Sequence, residues 1–127
     1  MNKPKVSVIL TSYNHAKYIE EAIDSVLNQT FQDFELIIVD DVSQDNSWEI
    51  IQSYNDDRII AFQNDKENTV VEGLNNSIMK IAQGEYMAIH HSDDVWELTK
   101  LEKQVKFLDE NSEYAAVFTH VKIIDEY

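Results

Sequence analysis

Cysteine is absent from the 127 residues, which excludes disulfides, a thiolate metal site and a cysteine nucleophile, and suits a reducing compartment. Glycine occurs only at Gly73 and Gly84, and proline only at Pro4. Neither glycine follows the first apolar run, so the glycine-rich loop that would cradle a dinucleotide or a triphosphate after an opening strand is missing. Basic residues are scarce too: ten Lys and Arg stand against twenty-four Asp and Glu, a formal net charge of −14. Such a chain repels nucleic acid and anionic membrane surfaces alike, and a phosphorylated ligand would need a divalent cation beside it. No apolar run approaches a membrane span, and Met-Asn-Lys-Pro-Lys opens no signal-peptide pattern, so a soluble cytoplasmic domain is expected.

What is present suffices for one domain over residues 1–127, with 43% hydrophobic residues to build its core. The aliphatic run after Pro4 predicts a first strand over Lys5 to Thr11. Ile19, Ala22, Ile23, Val26 and Leu27 then fall on one helical face, with Glu20, Glu21 and Asp24 opposite. Phe34 to Val39 reads as a strand buried on both faces, and Trp48 to Tyr54 as a helix turning Trp48 and Ile51 inward. Arg58 to Gln63 is a third strand. Val71 to Ala82 is a helix, with Gly84 where a C-terminal cap belongs. Glu85 to Ile89 is a fourth strand, Leu101 to Glu110 a helix, and Ala115 to Ile124 a fifth strand. This β-α alternation predicts a parallel or mixed sheet with helices on both faces, a three-layer α/β/α arrangement.

In such sheets ligands collect outside the carboxyl ends of the strands. Three of those ends carry chemistry: Thr11-Ser12-Tyr13-Asn14, Asp40-Asp41 and His90-His91-Ser92-Asp93-Asp94. Tyr13 offers an aromatic face on which a base could stack, a contact worth ~1–3 kcal/mol. Asp41 could accept the imide N–H that uracil and thymine carry and cytosine lacks. Asp93 and Asp94 are hard oxygen donors of the kind that magnesium or manganese takes together with phosphate oxygens. Plainer roles compete with these: Asn46 with Glu49, and Asp94 with Glu97, both have capping-box spacing, and Tyr13 could simply cover the core. His90 and His91, adjacent on a strand, point to opposite faces and cannot easily share an ion, so packing or surface roles are expected of them. Tyr18 and Trp96 read as packing residues. A phosphoacceptor signalling domain would place its paired acids after the first strand and a lysine after the last, and neither is found.

Residues 6–14 (Val-Ser-Val-Ile-Leu-Thr-Ser-Tyr-Asn), 25–30 (Ser-Val-Leu-Asn-Gln-Thr), 34–45 (Phe-Glu-Leu-Ile-Ile-Val-Asp-Asp-Val-Ser-Gln-Asp), 84–86 (Gly-Glu-Tyr) and 92–94 (Ser-Asp-Asp) together resemble family 2 glycosyltransferases, in order and spacing, over almost the whole chain. The resemblance implies the Rossmann-like, A-type glycosyltransferase fold, and inverting transfer of a sugar from a nucleotide-diphosphate donor to a saccharide or lipid-linked acceptor. It implies that Thr11 and Tyr13 line the base pocket, that Asp41 holds a uracil or thymine edge, that Asp93 contacts the ribose, and that Asp94 binds manganese or magnesium. His91 stands where the family often has an earlier acid, and Leu74 near a position often basic. The resemblance further implies an acceptor-binding half and a catalytic base beyond Tyr127. It also leads to the expectation of an enzyme peripheral to the membrane when full-length, and of self-association through apolar surface on the last strand.

Overall fold

The computed structural model describes residues 3–66 and 78–124. Four parallel strands, β1 (Val6–Ser12), β2 (Phe34–Asp40), β3 (Ile59–Gln63) and β4 (Tyr86–His91), form one sheet in the order β3-β2-β1-β4. The helices are α1 (Ile19–Leu27), α2 (Ser47–Ser53), α3 (Met79–Ile81) and α4 (Lys100–Glu110). No helix among the described residues is long and apolar enough to cross a membrane.

β1 and β2 occupy the middle of the sheet because their side chains are apolar on both faces; β2 is buried at every position. On one face Val6, Val8, Leu10, Leu36 and Ile38 meet Ile19, Ala22, Ile23 and Val26 of α1, Ile51 of α2, and Leu101 and Val105 of α4. On the other, Ile9, Ile37 and Val39 pack with Ile78, and Ile81 and Ala82 lie against them. Helices therefore cover both faces, as the alternation of apolar patterns predicts. The expected helix from Val71 has its first part, including Leu74, outside the described residues.

The expected fifth strand does not form. Residues 115–124 have no regular secondary structure, although they run alongside β4, whose outer edge is the end of the sheet. Strand structure needs a ladder of backbone hydrogen bonds. This segment is tied instead to α4, where Lys100 Nζ donates to Thr119 Oγ1 (3.0 Å) and Gln104 Nε2 to the Val117 carbonyl (3.3 Å). Phe118 is left 91% exposed and Val121 89% exposed. β-branched composition was a poor guide here because what a strand pairs with is not written in its own residues.

Gly84 is not a helix cap either. Helix α3 ends at Ala82 in an extended conformation, and Gly84 does not have positive φ. A β-carbon at Gly84 would collide with the backbone nitrogen of Ser7 and lie 2.7 Å from the Val6 carbonyl carbon. The glycine is needed because β4 enters the sheet against the backbone of β1. Its N–H donates to Ser7 Oγ (2.8 Å), which in turn donates to the buried carboxylate of Glu35 (2.5 Å).

His90 and His91 behave as strand geometry requires: His90 is buried and His91 exposed. The His90 ring lies against Trp96 at 4.5 Å between centroids. Its Nε2 is 3.2 Å from the Ala22 carbonyl, so Nε2 carries the hydrogen and donates, and Nδ1 has no partner among the described residues. Burial pushes the ring down to about 4 from its usual 6.5, against the upward pull of the Ala22 carbonyl and Asp94. Between those two values the unfolded chain binds a proton that the folded chain does not. Stability should therefore be fully present above pH 6.5 and fall as the pH drops toward 4, by about 3 kcal/mol from this residue. Urea unfolding across that range, with His90→Phe beside the parent, checks it: the variant should lose this component of the acid dependence, and equal slopes would refute it.

Candidate functional site at the carboxyl ends of the strands

Parallel pairing in register brings the ends of β1, β2 and β4 to one edge of the sheet. Ser12 is the rung partner of Asp40, and Thr11 is that of both Val39 and His91. The loops leaving these ends are joined by specific hydrogen bonds. Asp41 N donates to the Ser12 carbonyl (2.8 Å), Asn14 N to Ser43 Oγ (2.9 Å) and Gln44 N to Asn14 Oδ1 (2.7 Å). Asn14 (φ 52°) and Val42 (φ 60°) both sit in the left-handed region. Asn tolerates it; a β-branched side chain there is strained by roughly 1–2 kcal/mol. That backbone is held in place by the bonds on either side of it, since Ser43 N donates to Asp40 Oδ2 (2.9 Å) and Gln44 Nε2 to the Val42 carbonyl (2.9 Å).

The two adjacent acids have different surroundings. Asp40 is fully buried and accepts from Ser43 Oγ (2.5 Å), Ser43 N and Gln63 Nε2 (2.9 Å), so it closes the turn and ties β2 to β3. Asp41 is 5% exposed, and its Oδ1 accepts from Asn64 Nδ2 (2.9 Å). Thr11 is half-buried, and Tyr13 stands 45% exposed beside the same loop.

Asp45 does the capping that spacing assigned to Asn46. The Asn46 side chain makes no capping bond, whereas Asp45 Oδ1 accepts from Ser47 N (2.9 Å) and Ser47 Oγ (2.5 Å), and Oδ2 from Ala16 N (3.0 Å). Burial pushes this carboxyl up, but those donors outweigh it and the net shift is downward. Ser47 Oγ also accepts from His15 N (3.0 Å), and His15 Nδ1 lies 2.6 Å from Ser92 Oγ. His15 thereby links the β1 loop to both of the others. Its sequence carried no sign of this beyond its place two residues after Tyr13.

Asp93 and Asp94 follow Ser92 in a tight turn, closed by Asp94 N donating to the His91 carbonyl (3.1 Å). Helix α4 begins only at Lys100, so Asp94 is not its cap, and the Asp94–Glu97 capping box does not form. The start of α4 is served from a distance: buried Gln29 Oε1 accepts from Leu101 N (3.0 Å), while its Nε2 donates to the carbonyls of Glu97 (2.8 Å) and Ser25 (3.0 Å). Sequence reading missed Gln29, because a cap supplied 72 positions away has no local signature. Both aspartates are exposed, and no group of three His, Cys, Asp or Glu side chains among the described residues gathers to hold a metal. Asp94 also lines a cavity of about 550 Å³ along β4, with Trp96, Lys100, Met87, Ile89 and Phe118.

Residues 7–127 match the model of the family described as glycosyl transferase family 2. The chain is 45% identical over 112 residues to TuaG of Bacillus subtilis, a glycosyltransferase named for teichuronic acid biosynthesis; the match covers 87% of this chain and 44% of that protein. It is 39% identical over 104 residues to WfaP of Escherichia coli, a UDP-Glc:alpha-D-GlcNAc-diphosphoundecaprenol beta-1,3-glucosyltransferase, covering 82% and 41%. The chain thus spans less than half the length of these relatives. Among solved structures, S. aureus TarS 1-349 in complex with UDP superposes with a TM-score of 0.76 at 32% identity, over 85% of this chain and 33% of that one. The mannosyltransferase PcManGT of Pyrobaculum calidifontis, in complex with GDP-Man and Mn2+, gives 0.74 at 26% identity, over 85% and 33%. A four-stranded parallel sheet whose strand ends converge on one edge, a family match over nearly all its residues and these likenesses in sequence and structure lead to one conclusion: the chain belongs to glycosyl transferase family 2.

Proposed function

We propose that this chain supplies the donor-binding side of an inverting glycosyltransferase that uses a uridine- or thymidine-diphosphate sugar. The observation that carries the reading is the pair of bonds Asp41 N to the Ser12 carbonyl and His15 Nδ1 to Ser92 Oγ, which join the three chemically equipped strand ends that the parallel sheet sets along one edge. In this reading Tyr13 stacks on the base beside Thr11, Asp41 accepts the imide N–H, Asp93 meets the ribose and Asp94 faces the diphosphate. The TarS structure with UDP and the UDP-Glc in the name of WfaP support a uridine donor. PcManGT holds GDP-Man on the same fold, so the choice of base rests on side chains rather than on the fold, and Asp41 accepting a ring N–H sets uracil and thymine apart from cytosine.

The exposed carboxylates suit a divalent cation only in part. Magnesium and manganese commonly sit on one or two carboxylates plus substrate phosphate oxygens, which matches Asp94 without a dedicated cage. When bound, the ion would offset the diphosphate's repulsion from a chain of net charge −14 and stabilise charge growing on the leaving group. Acceptor binding, of a saccharide or lipid-linked sugar, and removal of the acceptor's proton rest in this proposal on the larger share of the relatives' length that the match leaves out. A second reading is a nucleotide-sugar binding or assembly module without transfer. The 44% coverage of TuaG favours it for these 127 residues by themselves.

Three expected outcomes follow from these assignments. Uridine and thymidine diphosphates should bind at least roughly tenfold more tightly than cytidine diphosphate, since cytosine has no imide N–H to donate to Asp41 and a hydrogen bond to a charged group is worth about 1.5–3 kcal/mol. Isothermal titration decides it, and equal affinities would remove Asp41 from the base pocket. Asp94→Asn should weaken uridine diphosphate binding in manganese while leaving the metal-free affinity and the melting temperature nearly unchanged; a variant that binds normally in manganese would show that the ion is held elsewhere. The 127 residues alone should bind the donor without acceptor-dependent release of nucleoside diphosphate, and should self-associate through the apolar, exposed residues Phe118, Val121, Ile123 and Ile124. Turnover assays with an acceptor panel, and sedimentation of the same sample, test both; acceptor-dependent turnover by a monomer would overturn both.

A further inference from the structure

We infer that His15 is a positioning residue that holds the Ser92–Asp94 turn in place relative to the loops carrying Tyr13 and Asp41. The inference rests on the donor-binding reading for its functional consequence, but its structural content stands apart from it. His15 is bonded through its backbone N–H to Ser47 Oγ (3.0 Å), at the start of α2, and through its ring to Ser92 Oγ (2.6 Å), at the end of β4. Its carbonyl accepts from Tyr18 N and Ile19 N (both 2.9 Å), fixing the residue against the first turn of α1. Three of its polar groups are thus anchored in three different elements. Ser47 is itself held by Asp45, so the anchor on the α2 side cannot rotate freely.

The turn on the other side has fewer restraints of its own. Ser92 is buried, while Asp93 and Asp94 beyond it are exposed, and the backbone bond from Asp94 N to the His91 carbonyl is local to the turn. Beyond the β1–β4 ladder, which ends at His91, the bond from the His15 ring is what ties that turn to the β1 and β2 loops. Two aspartates one and two residues past a pinned serine inherit its position, and misplacement by about 1 Å is enough to lose much of an oriented contact. The neighbouring Tyr18 ring, edge-on at 6.0 Å, limits rotation of the imidazole.

The test uses His15→Ala, His15→Asn and Ser92→Ala, singly and with His15→Ala and Ser92→Ala combined. Asn places an amide nitrogen near the position of the imidazole Nδ1 and can donate to the serine. Uridine diphosphate affinity is measured by titration with and without manganese, and amide hydrogen exchange over residues 90–95 is followed in the free protein. The expected result is a five- to tenfold weakening with manganese for each single Ala variant, about the value of one hydrogen bond, and a smaller change without it. The double variant should be no weaker than either single one, His15→Asn should recover most of the affinity, and exchange at Ser92–Asp94 should quicken in His15→Ala. Additive losses, equal weakening with and without manganese, or unchanged exchange would overturn the inference. A parent protein that binds no uridine diphosphate, yet shows quickened exchange in His15→Ala, would refute the donor-binding reading and leave the positioning role standing.

Discussion

β1 is hydrogen-bonded along both of its edges, to β2 from Val6 through Ser12 and to β4 from Val6 through Thr11, and the candidate site exists only because both ladders run parallel and in register. A slip of one residue in either would turn every side chain of that strand to the opposite face. At the amino end the register of β4 is set by the close approach of Gly84 to Ser7. At the carboxyl end it places His91 and Asp40 level with Thr11 and Ser12, so that loops distant in sequence start as neighbours.

Converging three polar loops on one edge has an energetic cost that the chain's own hydrogen-bond donors and acceptors offset. Asp40, Ser47 and Gln29 are buried and Asp45 is partly exposed, and each makes hydrogen bonds to backbone or side chain. The bonds from Ser43 to Asp40 and from Gln44 to the Val42 carbonyl hold Val42 in a backbone conformation it would not adopt alone. The rigidity falls on the supporting residues, while Tyr13, Asp93 and Asp94 remain exposed at the edge. A ligand meeting such a surface finds its contacts largely preorganised, which reduces the ordering cost of binding. The acidity of the chain is the opposing term for any diphosphate, and its share grows at low ionic strength.

The chain belongs to glycosyl transferase family 2 and spans less than half the length of the curated relatives it matches. The cavity along β4 shares Asp94 with the loops at the carboxyl ends of the strands and continues toward α4 and residues 115–121. Asp94 therefore stands at the boundary between two differently built surfaces, one polar and hydrogen-bonded, the other lined largely by apolar side chains.

The period of the apolar residues was enough to locate β1 to β4, α1, α2 and α4 within one or two residues, because each buries a face whose spacing is set by its own geometry. Strand ends bearing acids, and the opposite orientations of His90 and His91, followed from the same local rules. Local rules failed wherever a residue's partner lay elsewhere. Residues 115–124 have strand-like composition but bond to α4, Gly84 answers to the backbone of β1, the cap of α4 comes from Gln29, and Asp45 rather than Asn46 caps α2. His15 could be recognised as the link between loops only once Ser47 and Ser92 were brought beside it. Which segments bury apolar surface and which loops carry charge is legible in the order of the residues; what those loops touch is settled by the fold, because a hydrogen bond between distant residues depends on positions in space that no local pattern encodes.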